Sequence, residues 1–468
     1  MSLPEKFSDN RRTVCVQGLG FVGAAMAVAV ANARDDGGNV LYNVIGFDVP
    51  GEEGQKKADK INKGIFPYEN KDDNLSEALR NACKEGNLWA TTDADYYRYA
   101  DIAVVDINLD IVKDAERPYV KMDGFRNAIH TLGRMLRPEA LVIVETTVPP
   151  GTCERIVYPI LKEEFEKRGL PEESIRLAHS YERVMPGKDY YNSIVNFWRV
   201  YSGINEASEE KCRGFLESII NTAQYPLKKL GSTAASETAK VLENSYRAMN
   251  IAFMEEWGSF AESIGIDMFE IVNAIRVRPT HSNIRQPGFG VGGYCLTKDP
   301  LFAMISARDI YGIRDASFPF CEEAVKINDG MPLLSVERIT GYMNGDLSGK
   351  KILLLGVSYR QDVGDTRYSP SEIFVREAER KGAVITCQDP LVEYWHELDR
   401  EVLKEIPDLN GFDVIFFAVD HKEYHDMDFS GLKEEKRLIY DANNVLTGEQ
   451  RDILKKRPDI DLMSVGRG

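Results

Sequence analysis

Residues 287–299 read PGFGVGGYCLTKD, and five Gly or Pro residues crowd ahead of Cys295. Glycines let a backbone and a ligand approach closely, which the loop of a nucleophile requires. Lys298 and Asp299 follow at once. An ammonium near a thiol favours the thiolate, and a free thiol has a pKa of about 8.5. A packed cysteine in a tight turn would leave the same local pattern.

Three other groups of residues bear reactive chemistry. Lys240 and Asn244 stand four apart, so on a helix they share a face, and Glu237 joins it three residues before Lys240. A solvated face would read alike. Thr146 and Thr147 follow the apolar run 141–145 and precede Val148, Pro149, Pro150 and Gly151. That is a loop at a strand's C-terminal end, where α/β sheets place ligands, or else an ordinary polar turn. Glu182 and Arg183 lie in SYERVMPG, either as site residues or as a surface ion pair.

Residues 13–23, TVCVQGLGFVG, carry Gly18, Gly20 and Gly23 in the spacing G-x-G-x-x-G, with Phe21 and Val22 between the last two. The first glycine permits the tight turn, the second admits a pyrophosphate, and the third lets helix and strand pack. The helix N-terminus attracts the phosphates. Asp48 ends the next strand, 30 residues after Gly18, further than the usual ~20. The segment 35–42, with Gly37 and Gly38, is read as an inserted loop that explains the excess. An acid here binds a ribose 2′-hydroxyl and repels a 2′-phosphate, which favours NAD over NADP.

The elements that must hold these groups alternate. Runs 13–17, 44–48, 101–107 and 141–145 read as buried strands. Stretches 21–34, 74–85 and 124–136 read as helices. Such alternation implies βαβ units and a parallel sheet. From 234 to 264 there is no Pro and only Gly258, so one long helix or two nearly continuous ones are expected. Gly341, Asn344, Gly345 and Gly349 mark a linker. Runs 351–356, 384–387, 413–419 and 437–440 then read as strands of a second α/β sheet.

The 468 residues suggest about three domains at ~150 residues each. With 58 Lys+Arg against 74 Asp+Glu, the formal charge is −16. This argues against nucleic-acid or anionic-membrane binding, but not against a small anionic substrate held by local Arg and Lys. The longest nearly apolar stretch near the start, 22–33, is too short to span a bilayer. Residues 1–13 lack a secretory apolar core, so a soluble cytoplasmic protein is expected. Seven cysteines without a CxxC pair make a disulfide framework or a metal site unexpected, and most should be small buried residues.

In this order the segments resemble the UDP-glucose/GDP-mannose dehydrogenase family from about residue 12 to 460. The markers are GLGFVG at 18–23, ETTVPPGT at 145–152, SYERVMPG at 180–187, the Lys240/Asn244 helix and PGFGVGGYCLTKDP at 287–300. GVSYRQDVGDTRYSPS at 356–371 and QDP at 388–390 complete them. The resemblance implies two Rossmann-like parallel-sheet domains joined by a central helical domain with a long helix. The expected division is 1–228 for NAD, 229–340 for the cysteine loop and a dimer interface, and 341–468 for the nucleotide sugar.

It further implies a four-electron oxidation of the C6 alcohol of a nucleotide-linked hexose, with two NAD reduced. Cys295 would form a thiohemiacetal and then a thioester. Lys240 would stabilise the oxyanion, with Asn244 as its helical partner. Asp299, Thr147 and Glu182 would hold or activate water. Thr147 and Arg367 join Gly18, Gly20, Phe21, Val22, Gly23 and Asp48 as cofactor contacts. Arg183, Gly292, Tyr359 and Arg360 join Glu182, Lys240 and Asn244 as substrate contacts. Three places depart from the family pattern. Arg360 replaces a common Lys, Asn108–Asp110 replaces a common Thr-Pro, and Pro186 stands where the UDP-glucose branch often has an acid. Together with PGFGVGGYC this points to UDP-N-acetylhexosamines, with UDP-glucose or GDP-mannose as alternatives. The competing classes are a two-electron dehydrogenase and a non-catalytic dinucleotide-binding regulator.

Overall fold

The computed structural model describes residues 7, 11–68, 72–113, 117–184 and 187–468. The chain forms two compact units, Met1–Leu242 with Leu301–Ser317, and Glu243–Pro300 with Phe318–Gly468.

The first unit contains strands β1 (Arg12–Gln17), β2 (Tyr42–Phe47), β3 (Leu88–Thr91), β4 (Ile102–Val105), β5 (Ile111–Val112), β6 (Tyr119–Val120), β7 (Leu141–Val144), β8 (Arg176–His179), β9 (Val200–Gly203) and β10 (Lys228–Lys229). Its helices are α1 (Phe21–Ala31), α2 (Glu52–Asn62), α3 (Asp73–Glu85), α4 (Asp123–Met135), α5 (Tyr158–Lys167), α6 (Asn192–Val195) and α7 (Glu206–Glu217). Eight strands form one sheet in the order β10-β9-β8-β7-β4-β1-β2-β3. Neighbours are parallel except β8 and β9, which are antiparallel. Val14, Cys15 and Val16 of β1 are fully buried. Strands covered on both faces read as continuous apolar runs, which is why β1, β2, β4 and β7 are legible in the sequence. The order reverses between β1 and β4, so a crevice opens beyond their C-terminal ends.

Helix α8 (Thr233–Ile264) is one continuous helix of 32 residues. Gly258 does not break it, and a Cβ there would stand 3.1 Å from Pro287 Cβ. The small residue lets the 287 segment lie against the helix. The second unit continues with α9 (Met268–Arg276), and the short α10 (Phe302–Ile305) belongs to the first. Then come α11 (Pro319–Tyr342), β11 (Lys351–Leu355), α12 (Pro370–Arg380), β12 (Val384–Gln388), β13 (Tyr394–Trp395) and β14 (Arg400–Glu401). They are followed by β15 (Val414–Phe417), α13 (Lys422–His425), β16 (Arg437–Asp441), α14 (Gly448–Lys455) and β17 (Ile460–Ser464). The second sheet is wholly parallel, in the order β12-β11-β15-β16-β17. Between α11 and β11, Asn344, Gly345 and Gly349 all adopt positive φ, but Gly341 lies inside α11 and both flanks of the turn belong to the second unit, so it is a helix-to-strand turn within that unit.

Among the described residues no helix is long and apolar enough to cross a membrane. Cys15, Cys153, Cys212 and Cys387 are buried, Cys83 and Cys321 are half-buried, and Cys295 is exposed.

Candidate active site

The fingerprint loop follows β1. Gly18 has φ +100°, and a Cβ there would lie 2.2 Å from the Asp106 carbonyl oxygen. A Cβ on Gly23 would stand 1.9 Å from the Gly18 carbonyl oxygen. Both glycines are therefore required by the loop itself. Gly20 is different, because a Cβ there meets nothing nearer than Asn108 Oδ1 at 4.0 Å. No side chain caps the N-terminus of α1. Open space at the middle glycine and an uncapped helix start suit a pyrophosphate. Phe21 stacks on Tyr68 at 4.0 Å between ring centres, and the Tyr68 hydroxyl donates to the Leu19 carbonyl at 3.0 Å.

Asp48 lies just past β2, against this loop. Its carboxylate accepts from the Leu19 N–H at 3.2 Å and the Val49 N–H at 2.8 Å, with Lys57 Nζ at 3.0 Å. The acid is where the fingerprint predicts it, and the residues fit NAD. Lys57 beside it carries no signal in the sequence motif. The segment after Arg34 is a loop, closed by Asp35 accepting from the Gly37 and Asn39 N–H groups.

Below the loop lies a buried group that sequence reading misses. Arg199 pairs with Glu145, each at most 3% exposed. Burial first, and the Glu145 carboxylate second, push Asp106 well above the usual carboxylate range. Thr146 Oγ1 accepts from the Ile107 N–H at 2.8 Å and donates toward the Val105 and Ile107 carbonyls. So Thr146 ties the ends of β4 and β7 together. Thr147, half-buried, follows it.

Lys240 and Glu182 do meet. Lys240 Nζ donates to the Glu182 carbonyl at 2.7 Å and lies 3.4 Å from its Oε1. The Tyr181 ring centre is 5.5 Å from the same ammonium. Behind them, His179 Nδ1 lies 2.7 Å from Ser236 Oγ, which lies 2.6 Å from Ser202 Oγ. Burial, and then the Lys240 charge, lower His179 to about 3, so it is neutral at physiological pH. Arg183 donates to the Trp198 carbonyl at 2.8 Å and to the Tyr181 hydroxyl at 3.2 Å. Pro186 lies outside the described residues.

In the second unit, Asn244 Nδ2 donates to Asp299 Oδ2 at 2.7 Å, and Lys298 Nζ donates to Asp299 Oδ1 at 2.7 Å. Asp299 is fully buried, so its carboxylate is held between an amide and an ammonium. The Asp299 N–H donates to the Cys295 carbonyl at 2.9 Å, which links the acid to the cysteine turn. Gly292 is hemmed in. A Cβ there would stand 2.7 Å from Tyr359 Cβ and 2.8 Å from both Pro370 Cδ and the Tyr368 carbonyl. The cysteine loop thus packs directly on the 356–370 loop. Burial, then Asp365, raises the Tyr359 hydroxyl to about 12.

Arg360 is exposed. Arg367 is engaged by Asp365, with Nε and Nη2 donating at 2.9 and 2.7 Å. Arg247 is a site residue not read from the sequence, three positions past Asn244. Burial and then the Arg285 guanidinium pull it below the usual arginine range, and Cys295 and Arg360 lie within electrostatic reach. Arg247 thus stands within electrostatic reach of two further guanidiniums and of Cys295.

A doubly wound parallel sheet with a glycine fingerprint at its switch point defines a dinucleotide-binding α/β protein. The chain matches the UDP-glucose/GDP-mannose dehydrogenase family in its NAD binding domain over residues 12–220, its central domain over 234–330 and its UDP binding domain over 353–448. It belongs to that family, and NAD is its cofactor. It is 29% identical over 458 residues to a UDP-N-acetyl-D-mannosamine dehydrogenase of Methanocaldococcus jannaschii, covering 96% of each chain. It is 25% identical over 447 residues to an NDP-N-acetyl-D-galactosaminuronic acid dehydrogenase of Ralstonia solanacearum, covering 94% of this chain and 97% of the relative. The solved structure of a UDP-D-ManNAc dehydrogenase from Pyrococcus horikoshii superposes with a TM-score of 0.79 at 25% identity, covering 97% of this chain and 99% of that one.

Proposed function

We propose that this chain oxidises the C6 alcohol of a UDP-linked N-acetylhexosamine to the uronic acid, by way of a covalent adduct on Cys295. The observation that carries the reading is an exposed thiol on a glycine loop whose turn is bonded to a buried Asn244–Asp299–Lys298 cluster. The relatives named for N-acetylmannosamine and N-acetylgalactosaminuronic acid support the sugar class. A division of labour into 1–228 for cofactor, 229–340 for chemistry and 341–468 for the nucleotide belongs to the same reading.

NAD, when bound, supplies the hydride acceptor for both oxidations. The first leaves an aldehyde at C6. The Cys295 thiol adds to it, its sulfur bonding C6 and its proton passing to the carbonyl oxygen, which becomes the hydroxyl of a thiohemiacetal. Loss of that hydroxyl's proton and of the C6 hydride gives a thioester. Water then attacks, the thiolate leaves and the carboxylate is released, so a single adduct keeps the reactive aldehyde bound between two oxidations. Lys240 and Asn244 supply positive charge and an N–H donor to the C6 oxygen as negative charge develops. Glu182, Thr147 and Asp299 hold and orient the hydrolytic water. Arg247, Arg285 and Arg360 answer the substrate's phosphates, which planar guanidiniums bind well. A thiol nucleophile is kept reduced in a reducing compartment, which supports reading the enzyme as cytoplasmic.

The test is NADH formed per sugar consumed, with UDP-glucose, UDP-N-acetylglucosamine, UDP-N-acetylmannosamine, UDP-N-acetylgalactosamine and GDP-mannose. Two NADH per molecule of a UDP-N-acetylhexosamine is the expected result. One per sugar would demote Cys295 to a structural role. No NADH with any sugar would overturn the assignment.

The same reading includes a homodimer built on α8. Tyr246, Phe253, Trp257, Phe260 and Ile264 recur at helical spacing, and each is about half exposed. Trp257 meets Phe253 and Phe260 edge to face. A stripe of this kind on one helix needs a partner, and a second copy of the chain is the occupant we assign. Trp257→Glu should halve the mass measured by light scattering, and an unchanged mass would take α8 out of the interface.

A further inference from the structure

Glu237 is fully buried on α8, one turn before Lys240. Its Oε2 accepts from the Gly151 N–H at 2.5 Å and its Oε1 from the Cys153 N–H at 2.8 Å. These two donors stand at the start of a helical run whose first turn, Cys153–Val157, has π geometry. The first N–H groups of a helix have no partner within it, and an anion there is stabilised by the helix dipole. A side chain 84 residues away in sequence supplies that anion.

Between Thr147 and the anchored Gly151 lie only Val148, Pro149 and Pro150. Val148 is buried, and the two prolines have fixed φ, so the segment transmits displacement rather than absorbing it. Gly151 itself has φ +89°, and a Cβ there would stand 2.7 Å from the Tyr311 hydroxyl. A second tie holds the far side, where Ser306 Oγ donates to the Pro150 carbonyl at 2.6 Å.

We propose that Glu237 is a positioning residue for the reaction: its carboxylate anchors the 149–153 loop to α8 and thereby sets where Thr147 stands relative to Lys240. The inference rests on the functional reading above for the roles of Thr147 and Lys240. Because one carboxylate accepts both N–H groups, the anion satisfies the loop on two oxygens. Protonation turns one of those oxygens into a hydroxyl and loosens that tie. Burial raises this carboxyl to about 7, while the Cys153 and Gly151 donors pull it down. The other titratable or charged groups facing it are Glu154 and Tyr311, with Arg155 stacked over the Tyr311 ring at 4.5 Å. Burial thus brings the ionisation of Glu237 close to neutral pH.

The experiment compares the wild type, Glu237→Gln and Cys153→Ala in steady-state turnover from pH 6 to 9 and in amide hydrogen exchange of segment 146–153. In Glu237→Gln the amide can accept only one of the two N–H groups. Its kcat should fall about tenfold at high pH, the cost of roughly one hydrogen bond. The step in wild-type kcat near pH 7 should disappear, with KM little changed. Cys153→Ala keeps both backbone donors but removes a thiol that lowers the acid, so the step should move to higher pH. Exchange at Gly151 and Cys153 should quicken in Glu237→Gln at matched pH. A step near pH 7 that survives in Glu237→Gln, or exchange identical to wild type, overturns the proposal. A wild type inactive on every sugar, with the exchange difference intact, overturns instead the functional reading and the positioning role with it.

Discussion

Cys295→Ala is expected to abolish uronic acid formation while NAD binding is kept. Cys295 is exposed, so its removal opens no cavity in a core. The turn is held by the Cys295 carbonyl, which accepts from the Lys298 and Asp299 N–H groups at 3.2 and 2.9 Å, and alanine retains that carbonyl. The fingerprint loop at 18–23 belongs to the other compact unit. Fold and cofactor affinity should therefore survive, as circular dichroism and NAD titration would check. Without a thiolate the C6 aldehyde has no covalent tether, and the second oxidation must wait for a hydrate. Acid formation, followed by mass spectrometry of the product, should fall by at least about 1,000-fold, or about 4 kcal/mol of barrier. Full turnover by Cys295→Ala would show that no thioester forms.

Much of the scaffold is legible in the sequence, because its physics is local or periodic. β1 is read from a run of apolar residues followed by glycine, and Gly18 and Gly23 prove to be positions that admit no Cβ. Strand ends shift by at most two residues, and α1 ends at Ala31 rather than 34. Asp48 is found from its place after β2 despite the loop that lengthens its spacing. The 32-residue α8 follows from the absence of breakers alone.

What escapes is what depends on partners distant in the chain. The Arg199–Glu145 pair joins residues 54 apart, and neither end carries a local signature. The antiparallel step from β8 to β9 is likewise hidden, because βαβ alternation predicts only parallel neighbours. Nor does the motif show how Arg183 and Arg367 are engaged. Arg183 is turned to the Trp198 carbonyl, and Arg367 is pinned by Asp365 two residues before it. The sequence motif names the side chains, and only packing says which of them are committed elsewhere.

Lys240 is committed in a way that sharpens what its removal should do. Its ammonium is bonded to the Glu182 carbonyl and lies 3.4 Å from the Glu182 carboxylate, with both side chains nearly buried. Lys240→Met keeps the length and apolar stem but deletes the charge. If that charge answers an oxyanion that exists only as the C6 oxygen becomes negative, kcat should drop by about 100- to 1,000-fold. KM for the nucleotide sugar should change only a few-fold, because ground-state binding does not use the interaction. Stability should fall as well, since breaking a buried pair leaves Glu182 uncompensated at a cost of about 3 kcal/mol. The two effects separate in a double-mutant cycle. Lys240→Met/Glu182→Gln should recover much of the lost stability, because no unpaired carboxylate remains. It should recover none of kcat, because the ammonium is still absent. A double variant that regains turnover along with stability would mean that Lys240 serves only to neutralise Glu182, and an unchanged kcat in Lys240→Met would remove it from the chemistry altogether.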